Sequence, residues 1–370
     1  MDFSSILKAT LSIVGISGVL ALIISIAEKI LNDYGVCELN INNGDKVLQV
    51  EGGSTLLSTL AQEKIFIPSA CGGKATCGLC KVRVLSGAGP LLPTEEPYLD
   101  EKEREDNVRL SCQIKVKGNM QLAIPEELFN IKEYIGTVEK ITDLTHDIKL
   151  VRFKLSDDNP IKFKAGQFVQ LYTKPYAKVS EEVFRAYSIA SAPSDTNHVD
   201  LIIRQVPEGI ATGYVHLALE EGDKVQLSGP YGDFYLRGGE GVKELIMIAG
   251  GSGMAPIRSL LLDIFEKGLD YKIRYYFTVS KAKDQYYVEE LTALAKEHPN
   301  FTYVPIVSRS EEGDGWTGEK RKIVQIIKED LGGGEGKEAY MCGSPGMLDA
   351  CTEALIEAGL PEECIFYDKF

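Results

Sequence analysis

Residues 9–27 contain no charged residue and are rich in Ile, Leu, Val and Gly. At 1.5 Å per residue, a helix of that length covers roughly the ~30 Å hydrocarbon core of a bilayer. The competing reading is a cleaved signal peptide. Against it, Lys8 is opposed by Asp2, the run is longer than a usual signal core, and no small-x-small cleavage site stands before Glu28-Lys29. The pattern therefore predicts a retained transmembrane anchor over residues 1–31. Its flanking charges balance, so they do not set an orientation.

Beyond it the periodicity changes. Cys37-Glu-Leu-Asn-Ile alternates like a strand, Asn42-Asn43-Gly44-Asp45 turns, and Lys46-Val-Leu-Gln-Val returns. Leu56, Leu57, Leu60 and Ala61 have helical spacing, and Lys81-Val-Arg-Val-Leu alternates again. Residues 92–107 are acidic and contain proline, which predicts a surface excursion. A small α+β module is expected over 35–127. From 130 to 238, strand-like runs such as Val151-Arg-Phe-Lys-Leu, Phe168-Val-Gln-Leu-Tyr and Val199-Asp-Leu-Ile-Ile-Arg alternate with turn residues, the signature of an antiparallel β-barrel. From 239 to 370, apolar runs such as Leu245-Ile-Met-Ile-Ala alternate with helical stretches, which predicts a parallel α/β sheet. Gly332, Gly333, Gly334 and Gly336 read as a flexible loop.

Composition narrows the function. The chain has 370 residues, 44% apolar and 25% charged, with a formal net charge of −14. An acidic chain without a long Lys/Arg run is not built for nucleic acid. Eight cysteines in this length are too few for a disulfide scaffold and suggest a reducing compartment.

Four of those cysteines carry the strongest chemical signal. Cys71-Gly-Gly-Lys-Ala-Thr-Cys77-Gly-Leu-Cys80 is followed at a distance by Arg109-Leu-Ser-Cys112-Gln. Three thiolates on one loop plus one from elsewhere can enclose a [2Fe–2S] cluster, whereas zinc more often takes two separate Cys-x-x-Cys pairs. Gly72, Gly73 and Gly78 let the backbone wrap closely and aim N–H groups at sulfur. The loop is one residue longer than the plant-type run. Zinc or free thiols remain the alternative.

Two further constellations suggest cofactors. In Arg185-Ala-Tyr187-Ser188 an arginine can clamp a phosphate, an aromatic can stack on a flat ring system, and a hydroxyl can bond a ring nitrogen. Gly209-Ile-Ala-Thr212-Gly reads as a turn before a helix over 214–219, whose start forms an anion site. Together they suggest flavin held by its pyrophosphate from two sides. Gly250-Gly251-Ser252-Gly253 follows a strand and opens a helix, so a diphosphate can approach its backbone, although the spaced dinucleotide fingerprint is incomplete. Cys342-Gly343 ends another strand; Cys342 lines the crevice there or is a buried thiol. Phe370 packs on a domain seam or covers a flavin ring. His146, His198, His216 and His298 read as structural or surface residues.

In this order the motifs resemble the ferredoxin:NADP reductase superfamily fused behind a ferredoxin. The resemblance implies FAD, with Arg185 on its pyrophosphate, Tyr187 on the isoalloxazine, Ser188 near N5, and Gly209 and Thr212 on the pyrophosphate's other side. It implies a nicotinamide nucleotide at Gly250, Gly251, Gly253, Cys342 and Gly343. Ser188, Cys342 and Phe370 then stand at the reacting centre, with Cys342 near the hydride-donating carbon and Phe370 shielding the flavin. Cys71, Cys77, Cys80 and Cys112 become the cluster ligands.

The anchor, Gly-Leu-Cys80-Lys-Val-Arg, Arg109-Leu-Ser-Cys112-Gln, Pro125-Glu-Glu-Leu-Phe and Gly253-Met-Ala-Pro-x-Arg-Ser259 resemble the F subunits of the Na+-translocating NADH:quinone oxidoreductases. The segment between Gly166-Gln167 and Arg185 is shorter than that family's usual insertion. The resemblance implies a single-pass protein of a bacterial or archaeal cell membrane, its soluble domains in the cytoplasm. It would pass electrons from NADH to FAD, to [2Fe–2S] and on to quinone through membrane partner subunits. The alternative is a reductase component feeding an oxygenase or another redox protein. Ser308-Arg309 resembles a 2′-phosphate site for NADPH, but its accompanying Lys-x-Tyr is missing and Asp314-Gly-Trp316-Thr-Gly318 follows, which favours NADH.

Overall fold

The computed structural model describes residues 13–22, 34–125, 128 and 131–369. Phe370 and most of the expected anchor lie outside the described residues. Residues 13–22 are helical and exposed. Among the described residues, no helix is long and apolar enough to cross a membrane. The chain divides into two compact units, 1–130 and 131–370.

The first unit holds a five-stranded sheet in the order β2-β1-β5-β3-β4. Its strands are β1 (Val36–Ile41), β2 (Lys46–Glu51), β3 (Lys81–Ser86), β4 (Val108–Leu110) and β5 (Met120–Ala123). β1 and β2 form the expected hairpin, and β1 runs parallel to β5. Helix α1 (Leu56–Gln62) is capped by Thr55, whose side chain accepts from the Ser58 N–H, and buries Leu56, Leu57 and Leu60. Side chains alternate along β3, so Val82 and Val84 are buried while Arg83 is exposed. The stretch before β4 is more ordered than a surface excursion. It carries α2 (Glu101–Glu105), closed by a capping box between Asp100 and Glu103.

The second unit holds two sheets. Six antiparallel strands run in the order β10-β7-β6-β11-β8-β9. They are β6 (Lys132–Asp143), β7 (Ile148–Lys154), β8 (Phe168–Tyr172), β9 (Phe184–Ser188), β10 (His198–Arg204) and β11 (Lys224–Tyr231). An antiparallel bridge between Ile189 and Leu201, with the Ala190 N–H donating to the Asp200 carbonyl at 2.8 Å, joins the edge strands. The sheet thereby curls into a barrel around Val151, Phe153, Val169, Leu171 and Leu227. Helix α3 (Ile210–Leu217) packs its Tyr214 and Val215 on that core.

The last sheet is wholly parallel, in the order β14-β13-β12-β15-β16. Its strands are β12 (Glu244–Gly250), β13 (Lys272–Val279), β14 (Phe301–Val307), β15 (Lys337–Gly343) and β16 (Ile365–Lys369). The helices are α4 (Met254–Glu266), α5 (Val288–Glu297), α6 (Ile323–Asp330) and α7 (Pro345–Glu357). The continuous apolar run of β12 reflects burial on both faces. Leu245, Met247 and Ala249 pack under α4, whereas Ile246 and Ile248 pack towards α6 and α7. The chain reverses direction across the sheet between β12 and β15, so their C-terminal ends open the crevice where such sheets bind ligands. In the 332–336 glycine run Gly332 and Gly333 are exposed, whereas Gly334 is packed. Gly334 lies so close to Gly359 that a Cβ would overlap its carbonyl, and Lys337 Nζ donates to the Leu331 and Gly333 carbonyls at 2.6 and 2.5 Å.

Candidate functional site

In the first unit, the loop before β3 gathers the four cysteines. Gly72, Gly73 and Gly78 take φ of 64°, 84° and 68°, and Ala75 takes 55°. Gly78 also leaves room for the Tyr98 ring, which a Cβ would meet at 2.8 Å. The thiols stand in two pairs. Cys77 Sγ lies 3.4 Å from Cys71 Sγ, and Cys80 and Cys112 are hydrogen-bonded to each other. The Cys77 hydrogen bond, helped by backbone donors at Thr76 and Lys74, lowers the Cys71 pKa to about 4 against the effect of burial. The Cys80 hydrogen bond lowers Cys112 to about 7, with Gln113 and the Ala75 backbone as further donors. Cys77 and Cys80, the donors of the two pairs, are raised.

Among the described residues, no three His, Cys, Asp or Glu side chains are arranged to hold a single ion. Two thiol pairs with N–H groups turned towards sulfur suit two irons taking two thiolates each. Three thiolates from one loop and a fourth from the chain beyond β4 match an iron–sulfur ligand pattern more closely than the two Cys-x-x-Cys pairs usual for zinc.

A buried ion pair holds the strand that delivers Cys112. Glu95 is fully buried and accepts from Arg109 Nη2 at 2.5 Å, Arg109 Nε at 3.0 Å, the Leu110 N–H at 2.9 Å and the Leu92 N–H at 3.0 Å. Arg109 donates onward to the Gly89 and Pro90 carbonyls, both at 2.9 Å. Sequence reasoning placed Glu95 on the surface because an acidic, proline-containing stretch reads that way. Its partner stood in the quoted Arg109-Leu-Ser-Cys112 motif.

In the second unit, β9 carries Arg185, Tyr187 and Ser188 on the barrel's edge, all half-buried. Burial, opposed by the Arg185 charge, pushes the Tyr187 phenol well up, so it stays protonated. Arg185 Nη1 donates to the Phe184 carbonyl at 2.7 Å, which leaves the rest of its fork open to a phosphate. The expected turn at 209–213 is instead the first turn of α3, with Gly209 as N-cap and no side-chain cap. Helix formation began earlier than the apolar spacing implied because Ile210 and Ala211 are tolerated in a first turn. The Thr212 hydroxyl accepts from the Val206 N–H at 3.1 Å and so closes the loop entering the helix. The backbone N–H groups at the start of α3 are what an anion would meet.

The nucleotide-type turn stands at the crevice. A Cβ on Gly253 would overlap the Cys342 carbonyl, and one on Gly250 would meet Met347 Sδ at 2.7 Å. The Tyr286 hydroxyl donates to the Gly251 carbonyl at 2.8 Å. These contacts press the Gly250–Gly253 turn onto the end of β15, as close backbone approach to a diphosphate requires. Cys342 is fully buried, and burial together with the nearby Asp368 charge raises its pKa well above the ordinary thiol value. It is therefore a neutral thiol, standing at the end of β15 between Asp368 and the Gly253 turn.

Asp368, which sequence reasoning passed over, faces Cys342 in register across β15 and β16, and its Oδ2 lies 3.5 Å from Ser188 Oγ. Burial raises its pKa to about 6. The available signal was the alternation of β16, which puts Asp368 two positions before Phe370. The structure thus brings together Ser188, Asp368, Cys342 and the glycine turn.

Comparison with known proteins agrees with this layout. Residues 39–117 match the 2Fe-2S iron-sulfur cluster binding domain, 136–235 the oxidoreductase FAD-binding domain, and 247–353 the oxidoreductase NAD-binding domain. The chain is thus an oxidoreductase that takes a [2Fe–2S] cluster, FAD and NAD. Among solved structures, a cytochrome P450 reductase from Amycolatopsis matches at 27% identity and a TM-score of 0.70, covering 90% of this chain and 98% of its own. A ferredoxin reductase of carbazole 1,9a-dioxygenase shares the fold, with a TM-score of 0.68 at 22% identity over 91% of this chain and 98% of its own. The F subunits of the Na(+)-translocating NADH-quinone reductases of Idiomarina loihiensis and Neisseria meningitidis are each 33% identical, over 95% of this chain and 96% of their own lengths. With that identity sustained from end to end, the chain belongs to the family of Na(+)-translocating NADH-quinone reductase F subunits.

Proposed function

We propose that this chain is the electron-input component of a Na+-translocating NADH:quinone oxidoreductase, anchored by residues 1–31 with its soluble modules (35–127, 130–238 and 239–370) in the cytoplasm. The observation that carries the reading is the meeting of Ser188, on the flavin-type strand, with Asp368 beside the Cys342–Gly343 strand end and the Gly250–Gly253 turn. When bound, NADH supplies two electrons to FAD, and the [2Fe–2S] cluster accepts them one at a time.

The chain's own residues bind and orient. Arg185 would clamp the FAD pyrophosphate from one side, and the first turn of α3, entered at Gly209 and including the Thr212 N–H, would receive it from the other; the Gly209 N–H itself donates to the Val206 carbonyl at 3.0 Å. Tyr187 would stack on the isoalloxazine, with the Ser188 hydroxyl near N5. Gly250, Gly251 and Gly253 would receive the NADH diphosphate, while Cys342 and Gly343 would bound the nicotinamide. Phe370, the expected flavin shield, lies outside the described residues. Asp368, protonated below about pH 6, holds a proton next to Ser188. Cys71, Cys77, Cys80 and Cys112 ligate the cluster. The Ser308 hydroxyl donates to the Val279 carbonyl at 3.2 Å, leaving a 2′-phosphate with Arg309 alone, which supports NADH over NADPH.

The uncharged run of residues 9–27, long enough to cross a bilayer as a helix, supports the anchor. Electrons then pass to membrane partners and quinone, and any Na+ path belongs to those partners. The second reading, a reductase serving an oxygenase, is favoured by the fold shared with the P450 and carbazole dioxygenase reductases. NADH-driven quinone reduction by the gently solubilised complex separates the two. Na+-stimulated turnover that disappears without this chain is expected. Reduction of flavin and cluster without quinone turnover would favour the second reading.

A further inference from the structure

The motif Gly253-Met-Ala-Pro-x-Arg258-Ser259 extends past the glycines that face the nucleotide. Arg258 and Ser259 lie further along α4, and neither turns back to the crevice. Ser259 is fully buried, and its hydroxyl donates to the Ser191 carbonyl at 2.7 Å. Arg258 Nη1 donates to the Ala190 carbonyl at 2.5 Å and lies 3.7 Å from Asp200 Oδ2. Its guanidinium also sits 5.6 Å from the centre of the Tyr287 ring. Both acceptor carbonyls belong to the barrel, directly beyond Ser188 at the end of β9.

Those carbonyls are themselves fixed. The Ala190 N–H donates to the Asp200 carbonyl at 2.8 Å, and the Ser191 hydroxyl accepts from the Asp200 N–H at 3.2 Å. The buried Asp200 carboxylate is held in turn by Arg152 Nη1 at 3.1 Å. One rigid helix thus joins the nucleotide turn at its start to the barrel a turn later, where the barrel is braced by the strand that closes it. A half-buried charged donor and a buried hydroxyl aimed at consecutive backbone oxygens tolerate little sliding.

We infer that Arg258 and Ser259 are positioning residues, which set the distance and angle between the bound nicotinamide and the flavin by fastening the nucleotide-binding helix to the carbonyls of Ala190 and Ser191. This rests on the assignment of the flavin to β9 and of NADH to the Gly250–Gly253 turn. Reacting atoms must come within about 3–3.5 Å in good alignment, and a shift near 1 Å costs about 100-fold in rate. Loosening the seam should therefore cut the rate of transfer while leaving the diphosphate site, on the turn itself, intact.

The test is stopped-flow reduction of the flavin by NADH in the full-length, cofactor-loaded chain, together with equilibrium binding of NAD+ and thermal unfolding. Arg258→Gln and Ser259→Ala are expected to bind NAD+ as the parent does. They should lose the long-wavelength nicotinamide–flavin charge-transfer band and reduce flavin about 10- to 100-fold more slowly at saturating NADH. Arg258→Lys, which keeps a cationic donor, should recover most of the rate. Unchanged saturating rates in Ser259→Ala and Arg258→Gln would overturn the inference. So would a loss confined to NAD+ affinity, or a rate loss that follows melting temperature equally in Arg258→Lys and Arg258→Gln. Failure of the parent chain to bind NAD+ or to reduce its flavin would instead sink the underlying site assignment.

Discussion

Ser188 Oγ and Asp368 Oδ2 stand 3.5 Å apart, joining the last residue of a barrel strand to the edge strand of the parallel sheet. The pairing places a titratable carboxyl beside the proposed flavin edge, shielded enough that its pKa rises to about 6. Asp368→Asn should slow flavin reduction by NADH about 10-fold or more, with NAD+ binding retained. Stopped-flow rates from pH 5 to 8 check this, and the parent's inflection near pH 6 should vanish in the variant.

The same carboxyl has a signature in stability. Its folded pKa lies above the unfolded value near 3.9, so the folded chain keeps a proton that the unfolded chain has lost. The proton uptake favours folding below about pH 4, and that advantage disappears as pH rises through about 6. Asp368→Asn should be the more stable protein at pH 7.5, by on the order of 2 kcal/mol. Denaturant unfolding of both proteins across this range measures the difference. A gap that does not widen between pH 4 and 6 contradicts the assignment.

Glu95 and Arg109 are a second coupled pair. Glu95→Gln leaves a buried guanidinium without its counter-charge and should cost about 3–5 kcal/mol. Because Cys112 lies three residues beyond Arg109, iron content and the visible spectrum of the cluster should decline together with stability. Replacing both partners by apolar residues of similar volume should cost less than Glu95→Gln alone. Unfolding curves and iron analysis decide.

Gly253→Ala inserts a methyl against the Cys342 carbonyl. Overpacking there should cost about 1–3 kcal/mol and displace the turn. The expected result is a chain with full flavin and iron content whose KM for NADH rises at least about 10-fold, by analogy with other close-approach sites. Unaltered NADH kinetics would remove the turn from the nucleotide site.

Cys112→Ser tests the order of the electron path. Loss of the cluster should leave NADH-driven flavin reduction and turnover with a two-electron artificial acceptor intact, while quinone reduction by the complex stops. Zinc in place of iron in the purified parent chain would return the four thiols to the structural alternative.

Much of this protein was legible before folding because the signals were local. Thiolate spacing, glycines needing positive φ or close approach, and apolar periodicity of two or 3.6 residues are properties of short segments. They singled out Cys71, Cys77, Cys80 and Cys112, Arg185-x-Tyr187-Ser188 and Gly250–Gly253 as candidates, and they distinguished antiparallel from parallel strands. The start of α3 was missed by a few residues because Gly209 and Thr212 suit a turn and a helix's first turn equally well.

What sequence could not reach depends on partners distant in the chain. Glu95 looks like any surface acid until Arg109 is folded against it. Asp368 looks like a tail residue until β16 pairs with β15 and brings it to Ser188. Arg258 and Ser259 read as the ordinary continuation of a glycine motif until the barrel presents Ala190 and Ser191 to them. The sequence by itself determined which cofactor chemistries this chain can carry, because those depend on residue types at short spacing. Only the tertiary structure decided which groups meet at the reacting centre, because burial and long-range pairing set charge state and alignment there.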